Sequence, residues 1–570
     1  MSAHGSSMNN RWLAQIIARW HGPGIVLATG ILLSVPLLIR GIPASSPSSG
    51  HDATIALKWS LLFSQEFWEG NLYPHWLTGA NNGFGSVAFY FYPPITYWTY
   101  SLLAGASRSW LAGDTILCLA FTLARILAGF SCYWWLRHNV SVRAALIASF
   151  FYMAAPYHLA GDLLIRTAAA ETFAFIFTPI VFCGADLLRE QPSKGVFVTA
   201  IGFSLLTLTH VFTALLCGAI AGVYVTAQYW RRPSLLFLFG AALIVGLGCD
   251  AFYWLPIVTL AKYTHLTTIF GGYYKYSRWF LEGANFRSSQ WRLFLTILEQ
   301  LLLCGSLLFL FGVTVMRSPS RGVGERWYAG LAAIAVAFFL MTGASAPIWA
   351  SLPMLYKVQF PWRFMALITT LSAALFAIAI DRAANAWARN LVIAVALLGL
   401  APAAWAIFES PFERGEARLA KTLLENDEKE YVPIWWTGDM GPGRFKGPEL
   451  PATTVIADGK GDVERIHFRA GGVEAVVNAR EQAAVIFRQM YFVDWFALVD
   501  GKPADAVLSP SSGLVSVSVP TGEHTVVLDH HVLPEQRLGL WISAAAFLLL
   551  LGGVWALSRL ERRRASIAQQ

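Results

Sequence analysis

Read for its pattern of apolar and polar positions, the chain divides into two unequal kinds of text. Apolar runs recur near 24–40, 114–136, 143–160, 171–188, 195–210, 211–229, 234–256, 291–316, 327–343, 363–381, 389–408 and 538–558. Runs of about twenty apolar residues are long enough to cross a bilayer as helices. The 195–229 stretch is read as two short helices broken at Thr209-His210. A further aromatic-rich stretch, 89–107, carries Pro93-Pro94 near its start. It is read as an interfacial or re-entrant helix. The pattern therefore predicts a polytopic α-helical membrane protein of about twelve spans.

Between about 410 and 535 the period changes. Short alternating runs appear at Val463–Phe468, Val473–Val477, Ala483–Phe487, Phe496–Val499, Leu514–Val519 and His524–Leu528, with Asp500-Gly501-Lys502-Pro503 as a turn signal. A charged helical stretch, Glu413 to Glu430, precedes them. Several short strands at this spacing predict a small β-sandwich. The expected division is a helical membrane domain over 1–408, a β-rich domain over 409–536, and a last span with a basic tail over 537–570. The first outer loop of the membrane domain, 41–113, carries the interfacial helices.

Composition sharpens this picture. The 570 residues are 56% hydrophobic and 13% charged, about half the charged fraction of a soluble protein. Of the 34 Asp and Glu, 20 fall between Glu409 and Glu535, so the acidic residues mark the one segment whose polarity suits water. That composition predicts a domain that folds by itself. The net charge of +8 belongs to loops. With the N-terminus in the cytoplasm and 89–107 kept outside, the pairs Arg137/Arg143, Arg189/Lys194, Arg231/Arg232 and Arg382/Arg389, the trio Arg317/Arg321/Arg326 and the Arg562-Arg563-Arg564 tail all fall inside. This satisfies the positive-inside rule. Both termini are then cytoplasmic and 409–536 is extracytoplasmic. The same scheme needs the first apolar run as a retained span instead of a cleaved leader, although Ile42-Pro43-Ala44-Ser45 follows it. The basic residues form no aromatic-interleaved soluble patch, so nucleic acid is not an expected partner. All six cysteines lie inside apolar runs without metal spacing, which predicts buried thiols and no disulfide.

Ionisable residues at or near membrane depth are costly, and so they are candidates for function. Asp52 lies in the first outer loop. Asp162, Arg166 and Glu171 flank the turn between the third and fourth spans, His210 sits at the helix break, and Arg363 lies in Gln359-Phe360-Pro361-Trp362-Arg363-Phe364. Lys262, Lys275, Arg278 and Arg287 share a Tyr-rich loop, and Arg125 falls inside a span. Each has a structural reading beside the functional one. Asp52 is placed to cap the helix that begins at Ala53, Arg166 and Glu171 are placed to pair, and His210 to pack. The loop cations suit lipid headgroups. None of these residues shows P-loop, zinc, Rossmann or nucleophile-elbow spacing.

The order of several weak motifs resembles a known superfamily. They are His51-Asp52, Gly70-Asn71-Leu72-Tyr73-Pro74-His75-Trp76, Gly83-Phe84-Gly85 and Phe89-Tyr90-Phe91-Tyr92-Pro93-Pro94. Further along come Ile165-Arg166-Thr167-Ala168-Ala169-Ala170-Glu171, Thr209-His210, Phe360-Pro361-Trp362-Arg363, Glu430-Tyr431-Val432-Pro433, Val499-Asp500-Gly501-Lys502 and Pro520-Thr521-Gly522-Glu523-His524. Taken together they resemble the GT-C superfamily of membrane glycosyltransferases, and most closely the bacterial proteins labelled "6-pyruvoyl-tetrahydropterin synthase-related, membrane domain". The resemblance implies an inverting transferase at the outer face of the bacterial cytoplasmic membrane. A polyprenyl-phosphate sugar would be the donor, and an envelope lipid, glycan or protein the acceptor. It implies Asp52 as catalytic base or metal ligand. Relatives pair acids there, where this chain has His51-Asp52, so use of a divalent metal is left open. Arg125, Arg166 and Arg363 are the candidates for the leaving phosphate, with Asp162, Glu171 and His210 beside them. The rival expectations are a non-catalytic envelope or polysaccharide assembly protein and a lipid or glycan transporter.

Overall fold

The protein is described by a computed structural model covering residues 4–44, 50–283, 290–317, 325–383, 385–415, 429–437, 439–441, 444–446, 454–456, 460–469 and 471–568. Most of the charged stretch expected over 413–430 lies outside the described residues, as do Arg287 and Arg321.

Each of the twelve apolar runs falls in helix. Among the described residues eight helices are long and apolar enough to cross a membrane, and two more candidates are bent pairs. Pro233–Cys249 and Ala251–Tyr263 meet at 71°, and Arg326–Leu340 and Gly343–Ser351 at 86°. The first bend sits at Asp250, whose carboxylate accepts from Ser204 Oγ at 2.6 Å. Pro192–Thr207 has sixteen residues, about 24 Å at 1.5 Å per residue, short of a hydrocarbon core of about 30 Å. It folds back on Thr178–Leu187 at very close range, because a Cβ on Gly184 would lie 2.5 Å from the Thr199 amide. The expected break at Thr209-His210 is present: one helix ends at Thr207 and the next begins at Val211 with His210 as its N-cap. Ile95–Ser107 has thirteen residues, which is too short to cross. This is the length an interfacial or re-entrant helix needs.

Small residues let the first helices approach. A Cβ on Gly30 would lie 2.7 Å from Ile126 Cγ1, and one on Gly129 would lie 2.4 Å from Met153 Sδ. Without a hydrophobic drive between helices in lipid, such close backbone packing is what holds them. The two ends of the bundle are distinct. At one end Ile42 and Pro43 pair antiparallel with Glu413 and Phe412, and Asp114 Oδ2 accepts from the Gly415 amide at 3.0 Å. The Gly113–Leu136 helix carries the chain to the other end. There Arg326 lies 3.6 Å from Glu190, Asp381 accepts from the Ser141 amide at 3.1 Å, and Glu561 accepts from Ser193 Oγ at 2.7 Å. The loops around Ser141, Glu190–Ser193, Arg326 and Asp381 thus gather at one end with the C-terminal helix.

The β-rich part is a two-sheet sandwich. In one sheet the antiparallel order is Lys502–Ala504, Trp495–Val499, Gly522–His530, Gly472–Ala479, Gly461–Arg469. In the other it is Ala506–Leu508, Leu514–Val519, Ala483–Met490, Val455–Ile456. Alternation explains the pairing: Ala483, Val485 and Phe487 point inward while the residues between them are half-buried. Asp500 and Gly501, at φ +50° and +75°, make the tight hairpin expected at that turn. The sandwich core does not close on itself, however. Trp76, Phe84, Val87, Tyr90 and Phe91, from the segment between the first helix and Ile95, join Val485, Phe487, Trp495 and Leu514 in one buried cluster. Trp76 Nε1 donates to Gln489 Oε1 at 2.8 Å, and the Met490 amide donates to Phe84 O at 2.7 Å. The autonomous domain expected from composition instead shares its interior with a segment some four hundred residues earlier.

Candidate active site

The site begins at Pro156. Lacking an amide hydrogen, it follows the Val142–Ala154 helix and starts a ten-residue π-helix, Tyr157–Arg166, all of it buried. A π segment is rare, and it turns side chains out of their α-helical register. It ends where Thr167 adopts φ +54° and the Ala168 amide donates to Asp162 O at 2.9 Å. Ala169–Ala174 follows, with Glu171 in its first turn. That reversal brings Asp162, Arg166 and Glu171 together.

Arg166 Nη1 bonds both Asp162 Oδ1 and, at 2.8 Å, Glu171 Oε2. Both pairs use the same terminal nitrogen, so neither engages Nη2. Tyr157 donates its hydroxyl to Glu171 Oε1 at 2.8 Å. Arg363 Nε lies 3.4 Å from Glu171 Oε2. Its Nη1 donates to Val358 O at 2.7 Å and to Gln359 Oε1 at 3.1 Å, and its guanidinium stacks 4.7 Å from the Phe212 ring. The pairing of Arg166 with Glu171 is therefore real, and Arg363 extends it to two guanidinium groups around one carboxylate.

Asp52 reaches this cluster by backbone. The amides of Gly50, His51 and Asp52 donate to the carbonyls of Leu164, Ile165 and Arg166 at 3.1, 3.1 and 2.8 Å. Asp52 holds the N-cap position of the Ala53–Trp68 helix, but its side chain makes no capping hydrogen bond. As a whole residue Asp52 is exposed, yet its carboxyl is surrounded by enough protein that desolvation raises its pKa, against the positive charges of Arg166, His51 and Arg363. Tyr92 lies near enough to feel the Asp52 charge, as does Tyr273 of the Tyr-rich loop.

His210 joins from the helix break. Its Nδ1 accepts from the Thr213 amide at 3.3 Å and lies 2.7 Å from Thr213 Oγ1. Nδ1 is thus the acceptor, and the neutral ring carries its proton on Nε2. Burial pushes its pKa down to about 3 against the charge of Glu171, so it is neutral at pH 7. Arg125 lies elsewhere: its Nη1 donates to Leu33 O at 2.7 Å and ties the Gly113–Leu136 helix to the first helix. Among the described residues no group of three or more His, Cys, Asp or Glu is placed to hold a metal ion. Asp52 and its neighbour His51 alone do not make such a site. Tyr157 and Tyr92 escape the sequence reading, because nothing local to either marks it as a partner of Glu171 or a neighbour of Asp52.

No family model and no curated protein matches this chain. Among solved structures it is similar to the arabinofuranosyltransferase AftD from Mycobacteria, at 16% identity and TM-score 0.43, over 70% of this chain and 27% of AftD. It is similar also to the Archaeoglobus fulgidus oligosaccharyltransferase tethered to an acceptor peptide, at 13% identity and TM-score 0.41, over 75% of this chain and 62% of that one. ArnT from Cupriavidus metallidurans bound to undecaprenyl phosphate gives 14% identity and TM-score 0.40, over 70% of this chain and 75% of ArnT. The chain thus spans well under two thirds of AftD.

Proposed function

We propose that this chain is an inverting glycosyltransferase. It takes a sugar from a polyprenyl-phosphate donor and passes it to an envelope lipid, glycan or protein at the outer face of the cytoplasmic membrane. In this reading the helices of 1–408 form the catalytic membrane domain, 409–536 lies outside, and 537–570 returns to the cytoplasm. The observation that carries the reading is the Asp52 carboxylate. It makes no capping hydrogen bond, belongs to an exposed residue, and is set against the charges of two guanidinium groups.

The chemistry follows from that placement. The acceptor hydroxyl oxygen attacks the anomeric carbon as the carbon–oxygen bond to phosphate breaks on the opposite face. The hydroxyl proton passes to Asp52, and the polyprenyl phosphate leaves with the bonding pair. A base is most effective when its pKa approaches the working pH, and desolvation raises that of Asp52. Negative charge grows on the leaving phosphate, where fixed cations stabilise it. Arg166 has Nη2 outside both of its ion pairs, and Arg guanidinium matches phosphate geometry. Glu171, itself bonded by Tyr157, holds the two arginines in place. Asp162 anchors Arg166, and His210, neutral, fills the remaining side without adding charge. Arg125 serves the packing of the first helices.

Mass spectrometry of lipids that co-purify with the protein in mild detergent tests the donor class. A polyprenyl phosphate is the expected species. Its absence from wild type, with ordinary phospholipids retained, contradicts the reading.

A further inference from the structure

A recess lies at the far end of the helix that Asp52 begins. Glu66 is fourteen positions after Asp52 on the Ala53–Trp68 helix, about 21 Å along its axis. Beyond it a cavity of about 450 Å³ opens between the first outer loop and the sandwich, within the usual range for small-molecule sites. Asn71, His75, Asp529 and His530 line it together with Trp76 and Tyr90.

The walls are fixed by contacts across the junction. Tyr90 donates its hydroxyl to Asp494 of the sandwich, and His75 stacks on Tyr90 at 4.7 Å between ring centroids. His530 Nδ1 lies 2.8 Å from Asp494 Oδ2, with its ring 3.6 Å from that of Trp495. Glu66 accepts from the amides of Thr78 and Gly471 at 2.7 Å each, clamping the loop to a strand turn. A site held this way needs little reordering on binding.

We infer that this junction cavity is a binding site for a neutral stretch of glycan. Imidazoles, the amides of Asn71 and Gln536 and two carboxylates line it, and sugar rings present hydroxyl donors and apolar C–H faces to match. Among the described residues no lysine or arginine lines the cavity, and the nearby Arg469 is bound to Asp529 at 2.5 Å. An anionic ligand would meet Asp529 and Glu69 without a free cation. A polyol meets acceptors for its hydroxyls. Burial holds the His75 pKa down to about 4, so that ring is neutral and offers one donor and one acceptor nitrogen. Identifying the glycan as the acceptor rests on the transferase reading. Binding itself does not.

Saturation-transfer NMR on the full chain in detergent tests the site, with maltotriose, mannotriose and chitotriose as probes and glucose 1-phosphate as the charged control. Transfer to at least one neutral trisaccharide is expected, weakened about ten-fold by Asn71→Ala combined with Asp529→Asn. The same binding should persist in Asp52→Asn, which separates this site from the proposed base. Three outcomes overturn the inference: no transfer to any trisaccharide, transfer unchanged in the double variant, or transfer to glucose 1-phosphate alone. Lost transferase activity with trisaccharide binding intact in Asp52→Asn supports both readings. Intact transferase activity in Asp52→Asn with binding preserved removes only the assignment of Asp52.

Discussion

The Asp52 amide donates to the carbonyl of Arg166 at 2.8 Å, so the proposed base and the proposed phosphate ligand are joined by their backbones. A displacement of one displaces the other. Gly50 makes the join feasible, with φ +61° and space for no Cβ: one there would lie 2.5 Å from Ala44 O. Gly50→Ala should therefore cost about 1–3 kcal/mol of local strain and shift residues 50–52 off the π-helix end. Transfer activity should fall much further than expression level or melting temperature. Equal losses in all three would mean that the join is only structural.

The pH profile follows from the environment of Asp52. Desolvation raises its pKa, so the acid limb of activity should lie above the ordinary carboxylate range, activity rising with pH as Asp52 ionises. The positive charge of His51 opposes the rise. His51→Gln removes it and should move the acid limb to higher pH. A limb that stays put, or moves down, contradicts the assignment of Asp52 as the titrating base.

Arg166→Gln should destabilise the protein by about 3–5 kcal/mol, because Asp162 and Glu171 then remain buried without their shared cation. Both are almost wholly inaccessible. The double change Arg166→Gln with Asp162→Asn, which leaves Glu171 its contacts with Arg363 and Tyr157, should recover much of the stability and none of the activity. Thermal unfolding in detergent and a transfer assay separate the two effects. Recovery of activity in the double variant would make the pair purely structural.

Much of this was legible in the sequence, and the limits have physical causes. Hydrophobic run length located the helices, and the break at Thr209-His210 showed in a polar pair between two apolar runs. Alternation located the six strands expected, while Lys502–Ala504 and Ala506–Leu508, three residues each, are too short to carry a period. Run length did not show that Pro192–Thr207 falls short of a full crossing, nor that Asp250 bends its helix pair, since both depend on packing partners. The capping role expected of Asp52 came from local preference; the structure keeps the position and withdraws the hydrogen bond. The shared core of Trp76, Tyr90, Phe487 and Trp495 was beyond reach, because nothing in either segment names a partner four hundred residues away.

Glu66 gives a pH test of that junction. Desolvation, the largest influence, pushes its pKa up to about 7 from 4.5, against the amide hydrogen bonds of Thr78 and Gly471. Because the folded state holds this proton more tightly, its contribution to stability falls as pH rises from 4.5 to 7 and is gone above 7. The total is about 3 kcal/mol at 1.36 kcal/mol per unit. A protonated carboxyl band in the infrared spectrum that titrates near pH 7, and vanishes in Glu66→Gln, is expected. A band titrating at the ordinary glutamate value would mean that the junction is wet.

The most direct test of the central claim is transfer by Asp52→Asn in reconstituted membranes, with protein amount matched to wild type. The substitution keeps size and backbone contacts, and since the Asp52 side chain makes no capping bond it should leave stability nearly unchanged. Loss of the base should lower transfer by about 100- to 10,000-fold, with insertion and melting temperature preserved. Transfer within a few-fold of wild type would contradict the account and favour an assembly role for the chain.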